Sequence, residues 1–254
     1  MKKLIKKISK FFSSVDEPFT GLEDDCRIYC IGDIHGRFDL LLQLHEKIRL
    51  DAKNYDNPVK IIYVGDYIDR GPDSEKVINY LLSDTFSDFE SIFLMGNHER
   101  VLLDFLRDPA AGSAWFSFGG LSTLASYGVQ IKGIPHAAEL ATLSSELKEK
   151  IPAEHLYFYQ QLLPFYQQGA YYFAHAGVRP RIDLKHQRPE DLLWIRDKFL
   201  DSHKFHGKII VHGHSVIDKV VVLRNRIGVD TGAYASNILS CVVLEGLEQR
   251  IIST

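Results

Sequence analysis

The chain has 254 residues, 45% of them hydrophobic and 25% charged, with a formal net charge of −3. That length suits one large α/β domain, or one domain with an insertion, and supplies enough apolar residues for a core. The weak overall charge argues against a global pull towards nucleic acid, no apolar run approaches the roughly 18 residues of a membrane-crossing helix, and the three cysteines (Cys26, Cys30, Cys241), an odd and sparse set without zinc-type spacing, argue against a disulfide framework and fit a reducing, cytoplasmic setting.

Residues 1–12 hold five lysines and no acid, so the remainder is more acidic than the total suggests. Leu4, Ile5, Ile8, Phe11 and Phe12 recur at helical spacing among those lysines, which predicts a basic amphipathic helix within residues 1–20. The apolar positions are too interrupted for a signal peptide. A weak membrane-surface contact through residues 1–12, by attraction to anionic lipid, is one use of such a segment. Docking on the domain of residues 21–254, or fraying, is the other.

Three strand–loop–helix units follow. Arg27–Ile31 predicts a buried strand ended by Gly32, and Leu40, Leu41, Leu44 and Ile48 give helical spacing over Asp39–Leu50. Lys60–Val64 is a second strand before Gly65, followed by a helix through Val77, Ile78 and Leu82 that Asp73 or Ser74 can cap. Ser91–Met95 is a third strand, ended by Gly96, and Glu99–Leu106 continues as a helix that stops before Pro109. Each unit carries a polar motif at the C-terminal end of its strand, the edge at which open α/β sheets bind ligands.

Residues 108–168 break this pattern. Ala111–Gly120 is rich in Gly, Ser and aromatic residues, Leu121–Tyr127 reads as a short helix, and Ala137–Gln168 as one or two helices broken near Pro152. The segment is predicted to be a helical cap insertion walling one side of a site, with Trp115, Phe116 and Phe118 as core or cap packing or, alternatively, as the lining of a substrate groove. Strands resume at Ala170–Ala174, Lys208–His212, Lys219–Leu223, Arg226–Val229 and Leu239–Leu244. Their close spacing predicts antiparallel hairpins. The sum is an α/β (α+β) fold of two mixed sheets flanked by helices.

Five motifs carry chemistry: Gly32-Asp33-Ile34-His35-Gly36, Gly65-Asp66-Tyr67-Ile68-Asp69-Arg70-Gly71, Gly96-Asn97-His98-Glu99, His175-Ala176-Gly177 and His212-Gly213-His214. Asp33 and His35, two apart in a strand-end loop, can face one ion, and Asp66 has two oxygens with which to bridge a pair. Asn97 offers a neutral oxygen, and His175 and His214 offer imidazole nitrogens. Six such ligands suit two divalent ions about 3.5–4 Å apart. The mixed nitrogen and oxygen set favours Mn, Fe or Zn over a pure Mg or Ca site. A water bridging two such ions is acidified to a hydroxide nucleophile, and phosphate esters are its natural target. Arg70 and Arg196 can grip phosphate oxygens bidentately. His98 is the natural general acid, with Asp69 holding its other ring nitrogen. Glu99 reads as a helix cap or support, His212 as a strand, supporting or site-lining residue, and Asp230-Thr231-Gly232 as a turn that can lie near the site and has no assigned role.

These motifs resemble those of the calcineurin-like metallophosphoesterase superfamily, and within it the phosphoprotein phosphatase branch of bacterial type. That branch reads GDxHG, GDxVDRG and GNHE; here the segments are GDIHG, GDYIDRG with Ile68 at the valine position, and GNHE, and the resemblance spans about residues 27–244. It implies a four-layer α-β-β-α sandwich. It also implies Asp33, His35 and Asp66 on one metal, Asp66, Asn97, His175 and His214 on the other, and manganese as the common metal. Asp69 and His98 become the acid pair, Arg70 a phosphate ligand, and Arg196 is similar to the second phosphate arginine. The implied activity is that of a serine/threonine protein phosphatase, whose partner is a phosphorylated protein or a small phosphoester and not nucleic acid. The alternative is a dinucleoside polyphosphate hydrolase of the diadenosine tetraphosphate type; many symmetrical members carry Gln at the position of His35. A phosphate-binding scaffold without turnover would have no need of the intact Asp69–His98 pair.

Overall fold

The computed structural model describes residues 21–22, 26–83 and 86–254, so the predicted helix of residues 1–20 lies outside the described residues. In chain order the strands are β1 (Arg27–Ile31), β2 (Val59–Tyr63), β3 (Glu90–Phe93), β4 (Tyr166–Gln168), β5 (Tyr171–Phe173), β6 (Ile209–His212), β7 (Val221–Val222), β8 (Arg226–Gly228), β9 (Ser240–Glu245) and β10 (Glu248–Ser253). The helices are α1 (Phe38–Ala52), α2 (Ser74–Leu82), α3 (Asn97–Arg107), α4 (Gly112–Ser117), α5 (Gly120–Ser126), α6 (Leu140–Lys150), α7 (Ala153–Gln161), α8 (Pro189–Trp194), α9 (Asp197–Leu200) and α10 (Ala233–Ser236).

Two five-stranded sheets form, in the orders β10-β9-β1-β2-β3 and β4-β5-β6-β8-β7. In the first, β1, β2 and β3 run parallel while β9 and β10 add antiparallel strands. In the second, β5, β6 and β8 are parallel and β4 and β7 are antiparallel edges. Strand alternation sorts the layers. Ile28, Cys30, Ile62 and Val64 from the first sheet meet Tyr171, Phe173, Ile209 and Val211 from the second in a core between the sheets. Tyr29, Ile31, Ile61 and Tyr63 face the other way, onto Leu41, Leu44 and Ile48 of α1, Val77 of α2 and Leu102 and Phe105 of α3. Tyr172 and Ile210 do the same on the far side, beneath Leu192 and Phe199 of α8 and α9. The result is a four-layer α-β-β-α sandwich. Each such apolar side chain contributes about 1.5–3 kcal/mol by burial.

An ionic cluster ties α1 to the first sheet. Asp51, in the last turn of α1, accepts from Tyr29 Oη at 2.6 Å, Arg27 Nη1 at 3.1 Å and Arg250 Nη1 at 2.9 Å. The Arg250 guanidinium is the main reason that the Asp51 carboxyl sits below the usual carboxylate range, against the opposing effect of partial burial.

The structure departs from the sequence expectations in three places. The later strands are not a run of hairpins: β5, β6 and β8 pair in parallel, because the segments between them, with α8, α9 and β7, serve as crossovers. Only β7–β8 and β9–β10 are antiparallel neighbours in sequence order among these strands after β5. The stretch read as helix to residue 168 ends in β4, which pairs with β5. The strand β10 carries no alternating pattern in Glu248–Ser253 and is held by pairing with β9. Among the described residues no helix is long and apolar enough to cross a membrane, and the three cysteines are buried and not disulfide-bonded.

Candidate metal centre

The loops leaving β1, β2, β3, β5, β6 and β8 converge on one cavity, lined by His35, Asp66, Arg70, Asn97, His98, Phe118, Trp194, Arg196, His214, Val216 and Asp230. All six predicted ligands are buried. Asp66 is at the centre: its Oδ1 lies 3.4 Å from His175 Nε2, and its Oδ2 lies 3.6 Å from His35 Nε2 and 3.7 Å from His98 Nε2. Ligand atoms of Asp66, His175 and His214 all fall within 4.8 Å of one another, as do those of His35, Asp66 and His98. His175 Nε2 is 2.8 Å from Asn97 Oδ1, so these two converge on one point. Asp33 reaches the cluster from β1, with Oδ2 accepting from the His214 amide at 3.0 Å.

The donor set fits a metal pair on the structure's own terms. Asp33 Oδ1 and His214 Nε2 are buried and have no hydrogen-bond partner, whereas buried polar atoms are nearly always paired. His35 Nδ1 is 2.8 Å from the Ile68 carbonyl and His175 Nδ1 is 2.9 Å from the Val64 carbonyl. A carbonyl accepts only, so each ring carries its proton on Nδ1 and turns a bare Nε2 lone pair inwards.

His98 is arranged differently. Its Nδ1 lies 2.6 Å from Asp69 Oδ2, a carboxylate. Trp115 Nε1 donates to the same oxygen at 2.8 Å and Thr123 Oγ1 to Oδ1 at 2.6 Å, so both Asp69 oxygens are occupied and the carboxylate cannot turn. The Ser74 hydroxyl faces the Asp69 amide at 3.1 Å and does not cap its own helix. Trp115 and Thr123 come from α4 and α5, in a segment that showed no motif. A buried tryptophan needs a partner for its N–H, the one signal that pointed to Trp115. Glu99 accepts from four amides, those of Asp66, Tyr67, Ile68 and Gly96, and is fully buried. It holds the second motif's loop against the third.

Electrostatics separates the histidines. Burial pushes His35 down to about 3 and His214 down to about 2, and lowers His175. Burial also acts against charge on His98, but the Asp66 and Asp69 carboxylates outweigh it and raise its pKa to about 9. Asp33 is pushed well up by burial and by the Asp230 and Asp66 charges. Asp66 is lowered, because the surrounding imidazoles overcome its own burial. Asp230, read from sequence as a turn residue, lines the cavity and accepts from the Gly232 amide at 2.8 Å.

Arg70 and Arg196 both line the cavity, Arg70 with its guanidinium 4.3 Å from the centre of the Tyr234 ring. His212 does not join the ligands: it shares the strand face of Ile210 and packs on Phe199 at 5.0 Å. The backbone is bent to aim these groups. His35, Asp66, Asp69, Arg70 and His214 all have positive φ, between 48° and 72°, a region that side-chain-bearing residues seldom occupy away from functional sites. Two glycines permit the close approach. A Cβ on Gly96 would stand 2.2 Å from Asp66 Oδ1, and one on Gly213 would stand 2.0 Å from Asp33 Oδ1.

Comparison with known proteins agrees with this geometry. A serine/threonine-protein phosphatase 2 of Salmonella typhimurium is 29% identical over 223 residues, covering 84% of this chain and 90% of that protein. An asymmetrical bis(5'-nucleosyl)-tetraphosphatase of Oceanobacillus iheyensis is 26% identical over 245 residues, covering 84% and 87%. Among solved structures, a candidate diadenosine tetraphosphatase superposes with a TM-score of 0.60 at 19% identity, over 93% of this chain and 98% of that one. A cold-active protein-tyrosine phosphatase of a psychrophilic Shewanella superposes with a TM-score of 0.56 at 15% identity, over 94% and 82%. The sequence profile of the calcineurin-like phosphoesterases matches residues 26–240, and the chain belongs to that family.

Proposed function

We propose that the protein is a dinuclear-metal phosphatase that removes phosphate from phosphoserine or phosphothreonine in proteins. The observation that carries this reading is the gathering of Asp33, His35, Asn97, His175 and His214 around Asp66, with Asp33 Oδ1 and His214 Nε2 buried and unpaired. Asp33, His35 and Asp66 would hold one ion, and Asp66, Asn97, His175 and His214 the other, with manganese, iron and zinc all compatible with this mixed set. Such a pair supplies an acidified water and neutralises phosphoryl oxygens.

The rest of the chemistry falls to the chain's own groups. Arg70 and Arg196 reach into the cavity and grip the phosphoryl oxygens. His98 holds its proton on Nε2 towards the cavity and delivers it to the departing alkoxide. Asp69 keeps the His98 ring oriented and compensates its charge. Trp115 and Thr123 keep Asp69 in place.

A second reading is hydrolysis of a dinucleoside polyphosphate at the same centre. It is favoured by the similarity to several asymmetrical bis(5'-nucleosyl)-tetraphosphatases, including that of Bacillus subtilis at 25% identity. The two are separated by turnover of manganese-loaded protein on a phosphothreonine peptide and on diadenosine tetraphosphate, with Asn97→Ala as the blank. Faster peptide hydrolysis is expected. Preference for the dinucleotide would replace the first reading by the second, and no turnover above the blank on either would refute both.

A further inference from the structure

Among the described residues no carboxylate or carbonyl holds the side chain of Arg70. Its backbone is fixed: the amide donates to the Gly119 carbonyl at 3.3 Å, and φ is 68°, a value that persists only where the surroundings impose it. The guanidinium itself rests on a ring, with its carbon 4.3 Å from the centre of Tyr234. That choice of partner has a chemical consequence. A carboxylate would occupy the N–H edge of the guanidinium, the same edge that grips two phosphoryl oxygens. An aromatic ring takes the flat face and leaves the N–H fork free.

Tyr234 has to be held in turn. It is half-buried and sits in α10, a four-residue turn of helix that cannot fix itself. Both ends of α10 are closed in left-handed geometry, Gly232 at φ 65° and Asn237 at φ 60°. Thr231 Oγ1 donates to the Ile238 carbonyl at 2.8 Å and ties the loop at its base. The remaining tie is Arg37, the residue directly after the first motif. Its Nη1 donates to the Ala233 carbonyl at 2.9 Å and to Asn237 Oδ1 at 2.7 Å. Its Nε and Nη2 donate to the two oxygens of Asp39 at 2.9 Å and 2.7 Å, which sets the plane of the guanidinium. Arg37 thereby fastens α10 to the loop that carries Asp33 and His35. Tyr234 also meets the His35 ring edge-on, with centroids 5.4 Å apart.

We propose that Tyr234 is a positioning residue for phosphate recognition, holding the Arg70 fork open to the cavity, and that Arg37 sets Tyr234 in place. Both act through Arg70. The proposal rests on the reading of Arg70 as a phosphate ligand in a phosphatase.

The test uses manganese-loaded full-length protein. It measures the dissociation constant of inorganic phosphate by titration calorimetry, and kcat and KM on the phosphothreonine peptide. The variants are Tyr234→Leu, Tyr234→Phe and Arg37→Gln, each alone and in an Arg70→Gln background. Tyr234→Leu and Arg37→Gln are expected to weaken phosphate binding and raise KM by about three- to tenfold, with a smaller change in kcat. Tyr234→Phe keeps the ring and should recover most of the affinity that Tyr234→Leu loses. In the Arg70→Gln background none of the three should weaken phosphate binding further, because the group through which they act is gone. Losses of the same size with and without Arg70 would overturn the proposal, as would a Tyr234→Phe variant that binds phosphate as poorly as Tyr234→Leu. Bound manganese per chain should match wild type throughout. A fall in Tyr234→Leu would make the ring a support for His35 and refute its role at Arg70. Wild type that binds phosphate and turns over the peptide, with unaffected variants, would overturn the positioning role and leave the phosphatase reading standing. Wild type that does neither would overturn both.

Discussion

His98 differs from its neighbours in what its Nδ1 touches. A backbone carbonyl faces that atom in His35 and His175, and a carboxylate faces it in His98. Asp66 and Asp69 raise His98 while burial lowers His35 and His175, so that one kind of imidazole is suited to hold a cation and the other to give up a proton. Replacing His98 by Asn should lower kcat by about 10²–10⁴ on an ester with a poor leaving group and far less on one with a good leaving group. Equal losses on both would assign His98 a binding role. Gly213→Ala should be as damaging while leaving every proposed ligand in the sequence, because the new Cβ would stand 2.0 Å from Asp33 Oδ1. Bound manganese per chain, measured by atomic emission after gel filtration, should fall below that of wild type. Full metal content would show that Asp33 can move aside. The clustering of these residues was readable because Asp, Asn, His and Gly recur after one apolar run after another; a single such set would be ordinary turn chemistry. Trp115 and Thr123 were not, because what they hold lies 46 and 54 positions away in sequence.

At the scale of elements, periodicity identified what is buried on one face and missed what is held by pairing alone. Strands β1, β2 and β6 are buried nearly throughout and were legible as apolar runs. Strand β10 presents Ile251 to solvent and Ile252 to the core, and takes its register from β9. Parallel pairing of β5, β6 and β8 was also hidden, since the segments between them hold only the short helices α8 and α9 and the strand β7, and no long helix marks a crossover. The Asp51 cluster is what fastens β10 and β1 to α1. Asp51→Asn should destabilise the fold by about 1–2 kcal/mol at neutral pH, in chemical denaturation. The folded carboxyl titrates below its ordinary range, so this contribution is complete above about pH 4 and fades as pH falls further. The gap between wild type and variant should therefore narrow below pH 4; a gap that widened in acid would contradict the assignment.

For the whole molecule, the centre concentrates four imidazoles and the carboxylates of Asp33, Asp66 and Asp230 where the two sheets end. Buried like charges and unpaired polar atoms oppose folding, and divalent cations would relieve both. Manganese at about a hundred times its dissociation constant should add about 2.7 kcal/mol. For a chain of this size that raises the thermal midpoint by about 5–10 °C, which scanning calorimetry with and without chelator can read. An unchanged midpoint would count against an ion pair at this cluster.

The loop after β2 is fastened at three places: Glu99 takes its amides, Gly119 takes the Arg70 amide, and the hydroxyls of Ser74 and Thr123 meet the Asp69 amide. Phe118 and Trp194 line the same cavity from separate segments, and Tyr234 lies under the Arg70 guanidinium. Two of these rings are tied to that loop: Phe118 directly precedes Gly119, and Tyr234 packs on Arg70. Exchanging either ring would therefore reach Arg70 as well as the cavity wall, so the choice of ester and the hold on Arg70 change together.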